Sequence, residues 1–237
     1  EYVVTDSVQI NVARNLYPDL GVAMTLGKKT GKAWAFSSPS ELELQEKAQK
    51  FFKRIKKDGT LNRLIDKYYG HIKRLGKVNV SKFLEKRKIS LPRLRKYFYQ
   101  AEEITKIDWR LIAALSYQES HWDRKATSFT NVRGIMMLTK ETAERMGIKN
   151  RLNAQQNIVA GARYLLILKN TLPPRIVEPD RTWIALASYN QGYGHIEDSR
   201  ILAQRLGLSP DIWIDIKKSL PLLSKKLILK KLGDIEK

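Results

Sequence analysis

The apolar positions of the chain change period part-way along. Over residues 1–38 they recur near every second place. "EYVVTDSVQINVA" carries β-branched residues in near-alternation, and "GVAMTL" and "KAWAF" read as short strands, punctuated by Gly27, Gly31 and Pro39. From Ser40 the period becomes helical. Ser40 is placed to N-cap, with Glu43 at the reciprocal capping-box position. Leu44, Ala48, Phe51, Phe52 and Ile55 follow as one stripe, and Gly59 ends the helix. A short helix through Leu61, Leu64, Ile65 and Tyr68 stops at Gly70. The next ten residues, "HIKRLGKVNV", lack helical spacing and mark a domain boundary, set between residues 76 and 77.

After Val80 the pattern predicts helices throughout, at about 81–88, 92–106, 109–122, 140–146, 154–171, 181–191, 195–206 and 210–219. Asp108, Thr139, Asn153, Asp180 and Ser209 fall at N-cap positions, with Pro210 suited to a first helical place. Gly147 and Gly207 suit the position just past a helix end, and Pro173-Pro174 halts another helix.

One residue interrupts the apolar pattern in an informative way. In the helix begun by Asp108, Leu111, Leu115, Glu119 and Trp122 fall on one face. Glu119 therefore points where a core residue would. A carboxyl drawn out of water has its charged form disfavoured, so its pKa rises, and a carboxyl kept protonated near neutral pH is a general acid. Two plainer readings also fit: pairing with a core arginine, or a helix-end glutamate reaching solvent. Gly134 is a place where backbone can approach a ligand closely, and Met136 and Met137 after it are adaptable apolar surface or core filler. Tyr189 and Asn190 end a strong helix before Gly192 and Gly194. They are hydrogen-bonding groups at a turn, or an aromatic anchor at a helix end.

Composition narrows the chemistry. The 237 residues allow one large domain or two modest ones, and a hydrophobic fraction of 43% is ordinary for a folded protein. The absence of cysteine excludes disulfides, thiolate metal sites and a cysteine nucleophile. No metal or cofactor is expected. The chain opens at Glu1 without a methionine or a leader-like segment, as expected of a processed chain or a fragment, and it contains no apolar run long enough to span a membrane. The net charge of +20 is uneven: +12 over residues 41–100, +2 over 101–216 and +5 over 217–237. The basic middle segment is a solvated helix face or a surface for an anionic neighbour, either a membrane or a wall polymer. No nucleic-acid partner is expected, because the Glu119 region is nearly neutral and no nucleic-acid motif is present.

Several ordered motifs then converge. "ESHW", "GIMMLT", "NIVAGARYL" and "SYNQGYGHIEDSR" together strongly resemble the lytic transglycosylases of the soluble-lytic-transglycosylase type, over nearly everything from about residue 80 to Leu223. "DSVQINVARNLYPDLGVAMTLG" and "FFKRIKKDGTLNRLIDKYYGHI" resemble the second half of a family-3 periplasmic solute-binding domain. The resemblance implies a mainly α chain: a goose-lysozyme-like all-helical catalytic domain over 77–237, with an atypical shortened C-terminus, preceded over 1–76 by part of an α/β periplasmic-binding-protein-like domain. It implies cleavage of the β-1,4 bond between N-acetylmuramic acid and N-acetylglucosamine in peptidoglycan, leaving 1,6-anhydro ends, in a periplasmic monomer at the periphery of the outer membrane. The alternative is a catalytically impaired fragment that still binds peptidoglycan.

Carried over by position, the resemblance implies that Glu119 is the catalytic acid and that Ser120 is the serine beside it. Ser128 lies near the acid. Gly134, Met136 and Met137 form the substrate-groove motif, Tyr189 hydrogen-bonds the catalytic carboxyl, and Asn190 completes the Tyr-Asn pair. The chain departs from the family pattern at Arg124, usually proline, at Ser128-Phe129-Thr130-Asn131, usually Ser-Pro-Thr-Gly, and at Ser188, usually alanine. It departs again at the terminal "LILKKLGDIEK".

Overall fold

The computed structural model describes residues 2–14, 17, 19–28, 30–31, 33–36, 42–69 and 77–223. The expected cap at Ser40, the stop at Gly70, the boundary residues 71–76 and the terminal departure from the family pattern lie outside them. The chain divides into two units, residues 1–82 and 83–237. The division falls inside a helix, a few residues past the boundary expected from sequence. No helix among the described residues is long and apolar enough to cross a membrane.

The first unit holds helix α1 (Ser7–Ala13), α2 (Leu42–Lys57) and α3 (Thr60–Tyr69). The strands expected over residues 1–38 are absent among the described residues, and helix α1 stands in the first of them. Asp6 explains this locally: its carboxylate accepts the backbone N–H of Val8 and of Gln9, both at 2.9 Å, and starts the helix. A helical turn pairs its own backbone groups, whereas a strand requires a neighbouring strand. The helix α2 is confirmed, but its stripe is only partly covered. Ala48 and Ile55 are buried, while Leu44 and Phe51 remain exposed.

Helix α4 (Lys77–Ile89) opens earlier than the sequence indicated. Val80, Phe83 and Leu84 already stand at i, i+3 and i+4, a spacing masked by the surrounding basic residues. Next come α5 (Leu91–Thr105), α6 (Trp109–Ser120), α7 (Lys140–Arg145), α8 (Ala154–Thr171), α9 (Asp180–Gln191), α10 (Tyr193–Arg205) and α11 (Trp213–Ser219), with one 3-10 turn at Leu220–Leu222. Asp108, Thr139 and Asn153 cap α6, α7 and α8 as expected, each accepting a backbone N–H in the first turn.

Two expected caps fail. Asp180 is the first residue of α9 rather than its cap, and its carboxylate accepts the Trp213 N–H at 2.9 Å, tying α9 to the start of α11. Ser209 and Pro210 lie in a turn, and α11 begins only at Trp213, after Ile212. The helix expected at 210 is delayed because Pro210 gives its carbonyl, at 2.9 Å, to the buried Arg200.

Helix α8 is the axis of the second unit. It packs against α5, α9, α6 and α7, while α10 packs against α9 and α11. Ala160, Gly161 and Ala162 let neighbours approach its backbone closely. The core gathers Phe98 of α5, Ile112 of α6, Ile158 and Leu165 of α8, Ile184 of α9 and Ile196 of α10. Ile135, Met136 and Leu138 join it from the long connection between α6 and α7.

Candidate active site

Glu119 sits in the last turn of α6. Leu115 on the same face is buried and Leu111 half-buried, so the carboxyl emerges from an apolar wall, itself half-buried. No ion pair or hydrogen bond holds it among the described residues. Burial pushes its pKa up to about 7, and no neighbouring carboxylate contributes. Its place at the helix C-terminus acts in the same direction, because the helix dipole there disfavours negative charge. Both protonation states are therefore populated near neutral pH.

The chain turns sharply after Glu119. His121 and Trp122 both take the left-handed conformation, with φ of 52° and 59°, and end the helix. Trp122 folds back beneath α6, where its ring N–H donates to the Ala113 carbonyl at 2.9 Å and its ring packs against Tyr117 and Phe83. Lys86 of α4 caps the end, donating from Nζ to the His121 carbonyl at 3.0 Å. Aromatic packing thus fixes the orientation of the turn that carries Glu119.

The segment that follows is a small antiparallel ladder, with Thr127 opposite Arg133 and Arg133 opposite Leu138. Three helices grip the turn between Arg133 and Leu138 at its end. The Ile135 carbonyl accepts from Ser116 Oγ at 3.1 Å and Ser120 Oγ at 2.8 Å, both on α6. The Met136 N–H donates to Asn157 Oδ1 of α8 at 2.7 Å. The Met136 carbonyl accepts from the Tyr189 hydroxyl of α9 at 2.8 Å. Gly134 has φ +85°, and a Cβ there would collide with the Arg151 carbonyl and stand 2.5 Å from Asn157 Nδ2. A Cβ on Gly161 would stand 2.7 Å from Met136 Cβ. Both glycines exist to let the ladder lie on α8.

The other expected site residues divide between buried and open positions. Ser120 is buried, with its hydroxyl committed to the Ile135 carbonyl, and Met136 is wholly buried against Gly161. Gly134 is buried against Arg151 and Asn157 rather than open to a ligand. All three are engaged in contacts within the fold. Met137, with φ 46°, and Ser128 are half-exposed, and Asn190 is exposed, its Oδ1 accepting from Gln191 Nε2 at 2.7 Å. The expected bond from Tyr189 to the Glu119 carboxyl is replaced by the bond to Met136. Tyr189 nevertheless senses Glu119: burial first, then the charge of Glu119 and then Tyr164, raise its phenol well above the usual range. Ser188 is buried, and its hydroxyl donates to the Ile184 carbonyl at 2.9 Å.

Two contributors escaped the sequence reading. Asn157 is 1% exposed and holds the Met136 N–H. Its signal was an asparagine within an apolar helical run, where it is a poor helix former unless its amide is used. Arg151 donates to the carbonyls of Asn131 at 2.7 Å and Leu138 at 3.1 Å, pinning both arms of the ladder. An arginine in a loop carries no such signal.

Residues 96–207, which span most of α5 through α10 and include Glu119 and Tyr189, match the family described as Transglycosylase SLT domain. Over 225 residues the chain is 63% identical to a membrane-bound lytic murein transglycosylase F of Nitrosospira multiformis, covering 95% of this chain and 47% of that protein. It is 55% identical over 226 residues to the protein of the same name from Methylobacillus flagellatus, covering 95% and 48%. For the one from Thiobacillus denitrificans, identity is 49% over 223 residues, covering 94% and 47%. The chain thus spans about half the length of the curated relatives it matches.

Proposed function

We propose that the chain is a lytic transglycosylase, a lyase that cuts the β-1,4 bond between N-acetylmuramic acid and N-acetylglucosamine in peptidoglycan, with Glu119 as both acid and base. The observation that carries this reading is a lone carboxyl on an apolar wall, with its pKa raised to about 7 by burial. Such a group can give a proton and take one back at the same pH.

The protonated Glu119 gives its proton to the glycosidic oxygen. The bond from that oxygen to the muramyl anomeric carbon breaks, and positive charge develops on the sugar. The resulting carboxylate lies next to that charge and accepts the proton of the muramyl C6 hydroxyl. The C6 oxygen then bonds the anomeric carbon, closing a 1,6-anhydro ring and restoring protonated Glu119. No water enters the products. Glycosidases that use water or a covalent ester commonly need two carboxylates. An enzyme whose nucleophile is the substrate's own hydroxyl needs only one.

The rest of the reading rests on the sequence resemblance. Residues 77–237 form the catalytic domain, and residues 1–76 the later part of a solute-binding-like domain. The protein works as a monomer in the periplasm beside the outer membrane. The exposed lysines and arginines of α2 support a loose contact with anionic lipid or wall polymer. Digestion of purified sacculi tests the central claim. Soluble fragments with anhydro ends and no reducing muramyl end are expected. Reducing ends would replace the mechanism with hydrolysis, and sacculi bound but uncut would reduce the protein to a binding fragment.

A further inference from the structure

We infer that Phe129 is an aromatic platform on which a sugar ring of the bound glycan strand stacks, an inference that rests on the proposed function. Phe129 is 104% exposed, the most open of the large apolar side chains among the described residues. It sits at the tip of the ladder's first hairpin, beyond the Thr127–Arg133 bridge. The Ser128 carbonyl accepts the Asn131 N–H at 3.0 Å, and the Ser128 N–H donates to the Val132 carbonyl at 2.9 Å. Asn131 has φ 62°. This is a tight hairpin turn closed by a left-handed residue, with Phe129 and Thr130 at its centre. Such a turn favours proline in the place Phe129 occupies and accepts most residues there, but it requires no aromatic ring. The benzyl ring therefore serves neither the turn nor the core.

The turn is also held firmly. Ser128 Oγ accepts the Val132 N–H at 3.1 Å and pairs with Thr130 Oγ1 at 3.0 Å, and Arg151 holds the Asn131 carbonyl at 2.7 Å. The other end of the ladder is the Ile135 carbonyl, gripped by Ser120, the residue after Glu119. One continuous hydrogen-bonded frame thus joins the catalytic helix to the base of the Phe129 ring. A ring presented on a fixed backbone loses little entropy when it packs. The C–H face of a pyranose is apolar, and an aromatic face is its natural complement. Stacking of this kind involves no formal charge, so it persists at high salt, unlike adhesion through surface lysines.

The test uses the full chain in a Glu119→Gln background, so that binding is read without cleavage. Isotherms on purified sacculi at high salt compare this parent with Phe129→Ala and Phe129→Trp. Phe129→Ala should raise the half-saturating concentration about tenfold, as expected for loss of one aromatic contact. Phe129→Trp should keep the parent's affinity, and its fluorescence should shift to the blue with soluble glycan fragments. In the active enzyme, Phe129→Ala should raise KM and leave kcat unchanged. If Phe129→Ala binds like the parent, or if the tryptophan variant weakens binding as much as alanine does, the platform is overturned while the proposed function stands. A parent that does not bind sacculi overturns both.

Discussion

The hydroxyl of Tyr189, near the end of α9, donates to the backbone carbonyl of Met136 at 2.8 Å, across 53 residues of chain. The bond fixes the far side of the ladder that supports Glu119, and it engages the tyrosine proton, so that the phenol oxygen can only accept from any other group. Near Glu119, an acceptor favours the protonated carboxyl, which is the form that starts the proposed reaction.

Tyr189→Phe should therefore act twice. It leaves the Met136 carbonyl without its partner, a loss of about 1–3 kcal/mol if no water replaces the phenol. It should also lower kcat more than it changes KM, because the ladder loosens beneath the acid. Urea unfolding and steady-state kinetics on one preparation read both effects. An unchanged unfolding midpoint would mean that the bond does not hold the ladder.

Glu119 makes stability depend on pH with a defined sign. Its folded pKa, about 7, lies above the ordinary value of 4.5. The folded state therefore keeps a proton that the unfolded chain gives up first. This contribution is complete below pH 4.5 and is lost as pH rises through 7. Glu119→Gln removes the dependence. Its melting temperature should match the parent's at the acid end and exceed it above pH 7, with turnover abolished throughout. Parallel melting curves across that range would show that the carboxyl is not desolvated in solution.

Two glycines should respond to alanine in opposite directions. In Gly161→Ala the new methyl meets Met136 at 2.7 Å in the core. Overpacking of this kind costs about 1–3 kcal/mol, and the ladder should shift with it. Gly194 lies in α10 with open space around it. Gly194→Ala should stabilise by about 0.4–1 kcal/mol, through the unfolded chain. Thermal melts of the two variants give the comparison directly.

Arg200 is 5% exposed and joins α10 to the chain before α11. It donates to both Glu197 carboxylate oxygens at 2.8 Å, to Asp211 at 2.6 Å and to the Pro210 carbonyl at 2.9 Å. Arg200→Ala removes a shared partner of Glu197 and Asp211 and the donor to the Pro210 carbonyl; because both carboxylates are partly exposed and Asp211 keeps Arg175, the loss should be about 1–3 kcal/mol. Arg175 holds the outer oxygen of Asp211 but is itself exposed. Arg175→Ala should cost about 1 kcal/mol or less. Equal losses at the two sites would mean that the Arg200 network is solvated.

The helices of the second unit, and the apolar face that carries Glu119, were legible in the sequence because their causes are local. A stripe at i, i+4 and i+8 and a capping side chain at Asp108, Thr139 or Asn153 involve residues within a turn or two of one another. The same local logic misjudged Ser7–Ala13, where near-alternation reads as a strand until Asp6 caps the first turn. It also misplaced the start of α11, because the demand for the Pro210 carbonyl comes from Arg200 on another helix. Which way Ser120, Gly134 and Met136 face, and which acceptor Tyr189 takes, only the tertiary structure decided. Each of those choices is made where α6, α8 and α9 converge on one peptide unit, and a buried polar group bonds whatever partner that convergence brings within reach. The sequence identified a carboxyl on an apolar face; the packing of α8 and α9 against its own helix α6 determined the surroundings in which it stands.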